Sequence, residues 1–175
     1  MVSPFTVSKA PKSLITIMTQ DNGRIIKRVF IKASPEVIFK ALTDARDLVR
    51  WFCDRATCDL RETGELVAYW KKGKATQKGR AVFTRIIRGS ELQLLWIDDV
   101  LDARSENSNH TLSYKIQSRS GATEVIMHDY ANPVSDEETY IALDQGWNSV
   151  LLELKDYCEC RERSLKHRPQ KTPTE

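Results

Sequence analysis

Six aromatic residues, Trp51, Phe52, Trp70, Trp96, Tyr114 and Trp147, come from separate stretches of the chain and each falls at an inward position of its stretch. Convergent rings of this kind line pockets for apolar or aromatic molecules, which are mostly apolar with a few polar groups that fix orientation. They equally build an ordinary core. Leu151 follows Trp147 on the same apolar stripe and completes that candidate lining. His128 adds a group that donates a hydrogen bond or moves a proton near neutral pH, provided it faces the same space. Its stretch, Val125-Ile126-Met127-His128-Asp129-Tyr130, is ambiguous. Val125 and Met127 have one parity, Ile126 and His128 the other, and only one set turns inward. The other reading of His128 is a surface or structurally bonded imidazole.

Other chemistry is sparse. The chain holds no G-x-S-x-G, no H-E-x-x-H and no glycine-rich phosphate loop. The acid pairs Asp98-Asp99 and Glu137-Glu138 read as solvated charge or as complements to a helix dipole. The cysteines Cys53, Cys58, Cys158 and Cys160 form no C-x-x-C pair, and on a helix the last two point about 200° apart, a poor metal chelate. No cofactor and no metal is expected, and reduced thiols in the cytoplasm fit the absence of a signal-like apolar core in the first twenty residues.

The elements that must carry these residues are legible. Ile25, Ile26, Val29, Phe30 and Ile31 form a strand pattern from Arg24 to Lys32. Ser34-Pro35-Glu36 then supplies an N-cap, a proline at the first helical position and an early acid, with Val37, Ile38, Ala41 and Leu42 as the buried face. A second short helix is predicted from Ala45 to Phe52. Strands follow at Leu66–Trp70, Ala81–Ile87, Leu92–Ile97, Thr111–Gln117 and Thr123–Tyr130, joined by turns at Lys72-Gly73-Lys74, Gly89-Ser90 and Ser118–Gly121, with a polar loop at Asp98–Asn109. Their close spacing argues for an antiparallel meander. Ser135 and Glu138 fit a capping box, and Tyr140, Leu143, Trp147, Val150, Leu151, Leu154 and Cys158 mark one stripe of a helix about 23 residues long. Gly146 interrupts it. It either permits close approach of the sheet or a kink, or marks the true start of the helix; the phase of Tyr140 and Leu143 with Trp147 favours the first.

Length and charge limit the function classes. The 175 residues make one domain, 41% hydrophobic and 29% charged. The longest apolar run, Leu66–Trp70, is too short to span a bilayer. The net charge of +3 belongs to the ends: residues 1–20 carry +2, residues 161–175 carry +3, and the body carries −2. That distribution argues against nucleic-acid binding. Arg55, Arg61, Lys71, Lys72, Lys74, Lys78 and Arg80 form a basic stretch that reads as a solvated edge resisting strand addition, or as a contact for an acidic partner. Residues 1–21 are expected to be an unstructured arm, 22–163 the domain and 164–175 a frayed tail, and Met18 offers an alternative start.

The order strand, two helices, meander, long helix is an α+β pattern in which a sheet wraps a helix. The segment Val29-Phe30-Ile31-Lys32-Ala33-Ser34-Pro35-Glu36-Val37-Ile38-Phe39-Lys40-Ala41-Leu42-Thr43-Asp44, with Trp51-Phe52, Gly146-Trp147 and Leu151–Leu154, resembles the START-like (SRPBCC) superfamily and, within it, the heat-shock-protein-90 ATPase activator homologues. The resemblance covers residues 23–160. It implies a helix-grip fold, a curved antiparallel sheet around the long C-terminal helix with a cavity between them. Together with the convergent aromatics and the lack of catalytic motifs, that fold points to a small hydrophobic or aromatic ligand bound there. Two alternatives are regulation of a chaperone ATPase by protein contact and a cyclase- or hydratase-type enzyme using His128, Tyr114 or Asp129. One departure stands out. Thr63-Gly64-Glu65 occupies the place where the family often has a Gly-Gly pair, which leaves the local backbone geometry open.

Overall fold

A computed structural model describes residues 15–17, 25–97, 110–130 and 137–167. The expected capping box at Ser135, the loop at 98–109, the alternative start at Met18 and most of both expected tails lie outside these residues. Eight strands form one antiparallel sheet: β1 (Ile15–Ile17), β2 (Ile25–Ile31), β3 (Arg55–Cys58), β4 (Glu65–Lys72), β5 (Ala75–Ile87), β6 (Glu91–Ile97), β7 (His110–Arg119) and β8 (Ala122–Asp129), in the order β1-β2-β8-β7-β6-β5-β4-β3. Two short helices, α1 (Pro35–Thr43) and α2 (Ala45–Trp51), follow β2, and the long α3 (Glu137–Lys166) closes the fold.

Local chemistry accounts for the helices. The Ser34 hydroxyl accepts the Val37 amide at the start of α1, and Pro35 stands at the first turn, where its missing N–H costs nothing. Asp44 ends α1 and caps α2 by accepting the Arg46 amide at 2.9 Å. Partial burial works against the Asp44 charge, but that amide and the nearby Arg46 and Lys40 cations outweigh it and hold the carboxyl below its ordinary value. α3 is 30 residues long, about 45 Å at 1.5 Å per residue, and runs unbroken through the buried Gly146. Gly146 is therefore an interior position, not a boundary.

Strand alternation defines the concave face. Ile25, Lys27, Val29 and Ile31 of β2 turn inward, as do Leu92, Leu94 and Trp96 of β6, Leu112, Tyr114 and Ile116 of β7, and Val125 and Met127 of β8. Against them pack Ile38 and Leu42 of α1 and Leu151, Leu154 and Cys158 of α3. The α3 backbone packs mainly against β2, α1 and α2. Two strands were not anticipated: β3, and β1, which falls inside the segment expected to be an unstructured arm and pairs with β2 from Ile15↔Val29 to Ile17↔Lys27.

The far end of α3 is fastened by polar contacts. Glu159 accepts the Lys32 amide at 2.9 Å and the Lys155 ammonium at 2.6 Å, and Glu162 accepts both the amide and the hydroxyl of Ser34 at 3.1 Å. Burial opposes ionisation of Glu159, but the two donors prevail, and the Ser34 amide does the same for Glu162. Both carboxyls lie below the ordinary 4.5. A depressed folded pKa gives stability that is complete above the unfolded value and lost as pH falls through the folded one. The urea midpoint is thus expected to drop as pH falls below about 4.5, and less steeply in Glu162→Gln.

Thr63, in the loop before β4, has φ of 64°, a left-handed conformation that β-branched residues rarely adopt. Its side chain is exposed and its amide bonds the Phe83 carbonyl at 2.8 Å. Thr63→Gly is expected to raise stability by about 0.5–1 kcal/mol, the relief of strain exceeding the entropy added to the unfolded chain. Chemical denaturation checks this.

Candidate functional site

The aromatic residues gather at the β3–β6 end of the concave face. Trp51 ends α2, and its indole N–H donates to the Ala41 carbonyl at 3.0 Å. Phe52 follows, 5.3 Å from Trp51 between ring centres, 5.3 Å from Trp70 in an edge-on arrangement and 6.4 Å from Trp96. The Trp70 indole N–H donates to the Phe52 carbonyl at 2.7 Å, tying β4 to the end of α2. A glycine makes room for this cluster. A Cβ at Gly79 would stand 3.0 Å from the Cζ3 atoms of both Trp70 and Trp96, so the absence of a side chain lets both rings rest on β5. Trp51, Phe52 and Trp70 are only half-buried, whereas Trp96 is 5% exposed.

A polar group lies further along the same face, beneath the first half of α3. Lys27 of β2 is fully buried and pairs with Asp144 of α3, whose other oxygen accepts the Asn148 amide at 3.3 Å. The Trp147 indole N–H donates to Asp129 of β8 at 3.1 Å. Tyr114 is buried on β7, and burial, assisted by the charge of Asp129, pushes its hydroxyl well above the usual tyrosine value. At neutral pH it is a phenol and not a phenolate.

The structure therefore brings together Trp51, Phe52, Trp70 and Trp96, and places Tyr114 and Trp147 on the same face. Leu151 is 1% exposed and belongs to the packed core under α3. His128 is a correction. Val125 and Met127 take the inward parity, so His128 points to the outer face, where it stacks on Tyr130 at 5.6 Å. Burial and the charge of Lys115 hold its pKa below the ordinary value. Reading the sequence missed Lys27, Asp144 and Asn148. The signal was present for one of them: Lys27 keeps phase with Ile25, Val29 and Ile31, and a cation in an inward register requires a buried partner.

Elsewhere, the basic stretch is a solvated surface with local partners. Arg61 pairs with Asp59, Arg80 with Glu65, and Arg55 lies 4.0 Å over the Tyr69 ring. An open cleft of about 480 Å³ lies between the α1–α2 elbow and the last turns of α3, lined among others by Lys40, Arg50, Tyr157 and Cys160. No group of metal-ligating side chains occurs among the described residues, and no helix there is long and apolar enough to cross a membrane.

An antiparallel sheet wrapped around one long C-terminal helix, with two short helices after the first long strand, is the helix-grip architecture of START-like proteins. Within that class, the sequence pattern of the Activator of Hsp90 ATPase homolog 1-like protein family matches residues 32–159, and the chain belongs to this family. Among solved structures, an AHSA1-like protein from Aeromonas hydrophila is 20% identical, with 85% of this chain and 99% of that one covered at a TM-score of 0.66. A protein from Nitrosomonas europaea is 14% identical over 83% and 99% of the two chains, TM-score 0.67. The Aha1 dimer from Colwellia psychrerythraea is 20% identical over 78% and 96%, TM-score 0.61. No curated protein matches the chain.

Proposed function

We propose that the chain binds a small hydrophobic or aromatic molecule between the sheet and α3, against the cluster of Trp51, Phe52, Trp70 and Trp96. The observation that carries this reading is that three large rings, one on β4 and two at the end of α2, are only partly buried. Such rings would normally be covered, and α3 packs mainly on the other end of the sheet. Trp147, Tyr114 and Asp129 supply the few polar groups that orient a guest in an otherwise apolar site. Native mass spectrometry of protein purified from its own cell is expected to show the chain plus one small apolar molecule, released by organic extraction. A homogeneous mass of the bare chain overturns the proposal.

A second reading is a cyclase- or hydratase-type enzyme at the same site. It is favoured by Tyr114 and Asp129, which lie on the inner face where such chemistry requires a polar group. It no longer includes His128. Regulation of a chaperone ATPase rests on the family description alone, and an unchanged ATPase rate on addition of the chain to its cognate chaperone rejects it.

A further inference from the structure

The cleft between the α1–α2 elbow and the last turns of α3 plays no part in the reading above, and its charges are lopsided. Lys40, Arg46, Arg50 and Arg161 line it against two carboxylates, Asp44 and Asp47, so two positive charges are left over. Both carboxylates are already engaged. Asp44 caps α2 and holds Arg46 at 3.4 Å and Lys40 at 4.0 Å. Asp47 is 3% exposed and holds Arg161 at 2.9 Å. Two further acids of α3, Glu159 and Glu162, turn instead to Lys32 and Ser34. Arg50 is exposed, and its guanidinium has neither a hydrogen bond nor an ion pair among the described residues. Helical spacing gathers these groups. Arg46 and Arg50 stand one turn apart on α2, at i and i+4, where like charges repel. Tyr157, Arg161 and Ser164 repeat at that spacing on α3 and form the facing wall. A concave surface with an excess of one sign focuses its field on whatever enters.

We propose that this cleft binds a small phosphate monoester, its head on Arg50 and Arg46 and its organic part against the Tyr157 ring. Guanidinium forks match phosphate oxygens two at a time. A phosphate monoester carries about −1.5 to −2 at neutral pH, which answers the surplus. The cleft, about 480 Å³, has room for a phosphorylated small molecule. The site does not depend on the ligand-binding reading above. α2 contributes to both places, with Arg46 and Arg50 in the cleft and Trp51 in the aromatic cluster.

Phenyl phosphate and phenyl sulfate test it, being nearly the same shape but dianion and monoanion. In proton–nitrogen correlation spectra of the full chain at low salt, phenyl phosphate is expected to shift the amides of residues 46–50 and 157–164. Its affinity is expected to exceed that of phenyl sulfate and of inorganic phosphate. Arg50→Gln, a change at an exposed position that is expected to leave the urea midpoint unmoved, should weaken phenyl phosphate about tenfold, the scale of one charge-assisted hydrogen bond. Equal affinity for phenyl phosphate and either other anion, undiminished affinity in Arg50→Gln, or shifts confined to the aromatic cluster overturn the proposal. A second measurement needs no variant. Cys160 is the one exposed thiol of the four and lines the same cleft. Saturating phenyl phosphate is expected to slow its alkylation by iodoacetamide several-fold, read by peptide mass spectrometry. An unchanged rate means that the cleft is not the site.

Discussion

Gly64→Ala is expected to destabilise the chain by about 3 kcal/mol, visible as a large fall in the denaturant midpoint. A Cβ at this position would stand 2.1 Å from the Asp59 carbonyl oxygen and 3.0 Å from the Arg61 carbonyl. Both obstacles are backbone and neither can swing aside. They are fixed because the loop is tightly bonded: the Asp59 amide bonds the Glu65 carbonyl, the Gly64 amide bonds the Arg61 carbonyl, and the Phe83 amide bonds the Gly64 carbonyl, at 2.9 to 3.0 Å. Relief requires opening the entry to β4 and its junction with β5 together. The departure noted in the sequence now has a physical meaning. Of the two neighbours Thr63 and Gly64, the second must be glycine here because of space, while the first tolerates a side chain at the cost of a left-handed backbone.

Asp144→Ala is expected to cost about 3 kcal/mol or more, since it strands the ammonium of Lys27 inside the fold. The size of the loss comes from the unpaired charge rather than from the worth of the pair, because drawing two charges out of water offsets most of their attraction. The double substitution Lys27→Met with Asp144→Leu is therefore expected to recover most of the stability lost by Asp144→Ala alone. Urea denaturation of the wild type, the single and the double variant measures this. A double variant as weak as the single one would mean that the polar pair itself, and not charge burial, holds α3 to β2.

How much of this was legible beforehand depends on the range of the interaction responsible. The start of α1 is written locally, in the Ser34 cap and Pro35, and the inward set Leu112, Tyr114 and Ile116 of β7 alternates cleanly with polar neighbours. β3 was missed because Arg-Ala-Thr-Cys has no apolar run and becomes a strand through its pairing with β4. The first half of β5, with Thr76, Gln77 and Lys78, is polar for the same reason. On β8 both parities carry large apolar residues, so periodicity alone did not choose a face; packing under α3 chose Val125 and Met127 and sent His128 outward. The aromatic gathering was foreseen by residue type, but its detail depends on Gly79, whose lack of a side chain matters only once β4, β5 and β6 lie side by side. The partner of Lys27 is 117 residues away, beyond any local pattern.

That same separation sets the order of assembly. β2 emerges from the ribosome early, yet its sheet neighbour β8 and the carboxylate that neutralises Lys27 are made last. During synthesis the strands from β3 to β7 can pair as they appear, since each adjoins the next, while β2, beyond its pairing with β1, must wait for β8. The nascent chain thus spends most of its translation with a cation fated for the interior still in water, and closure of the fold is a late, long-range event.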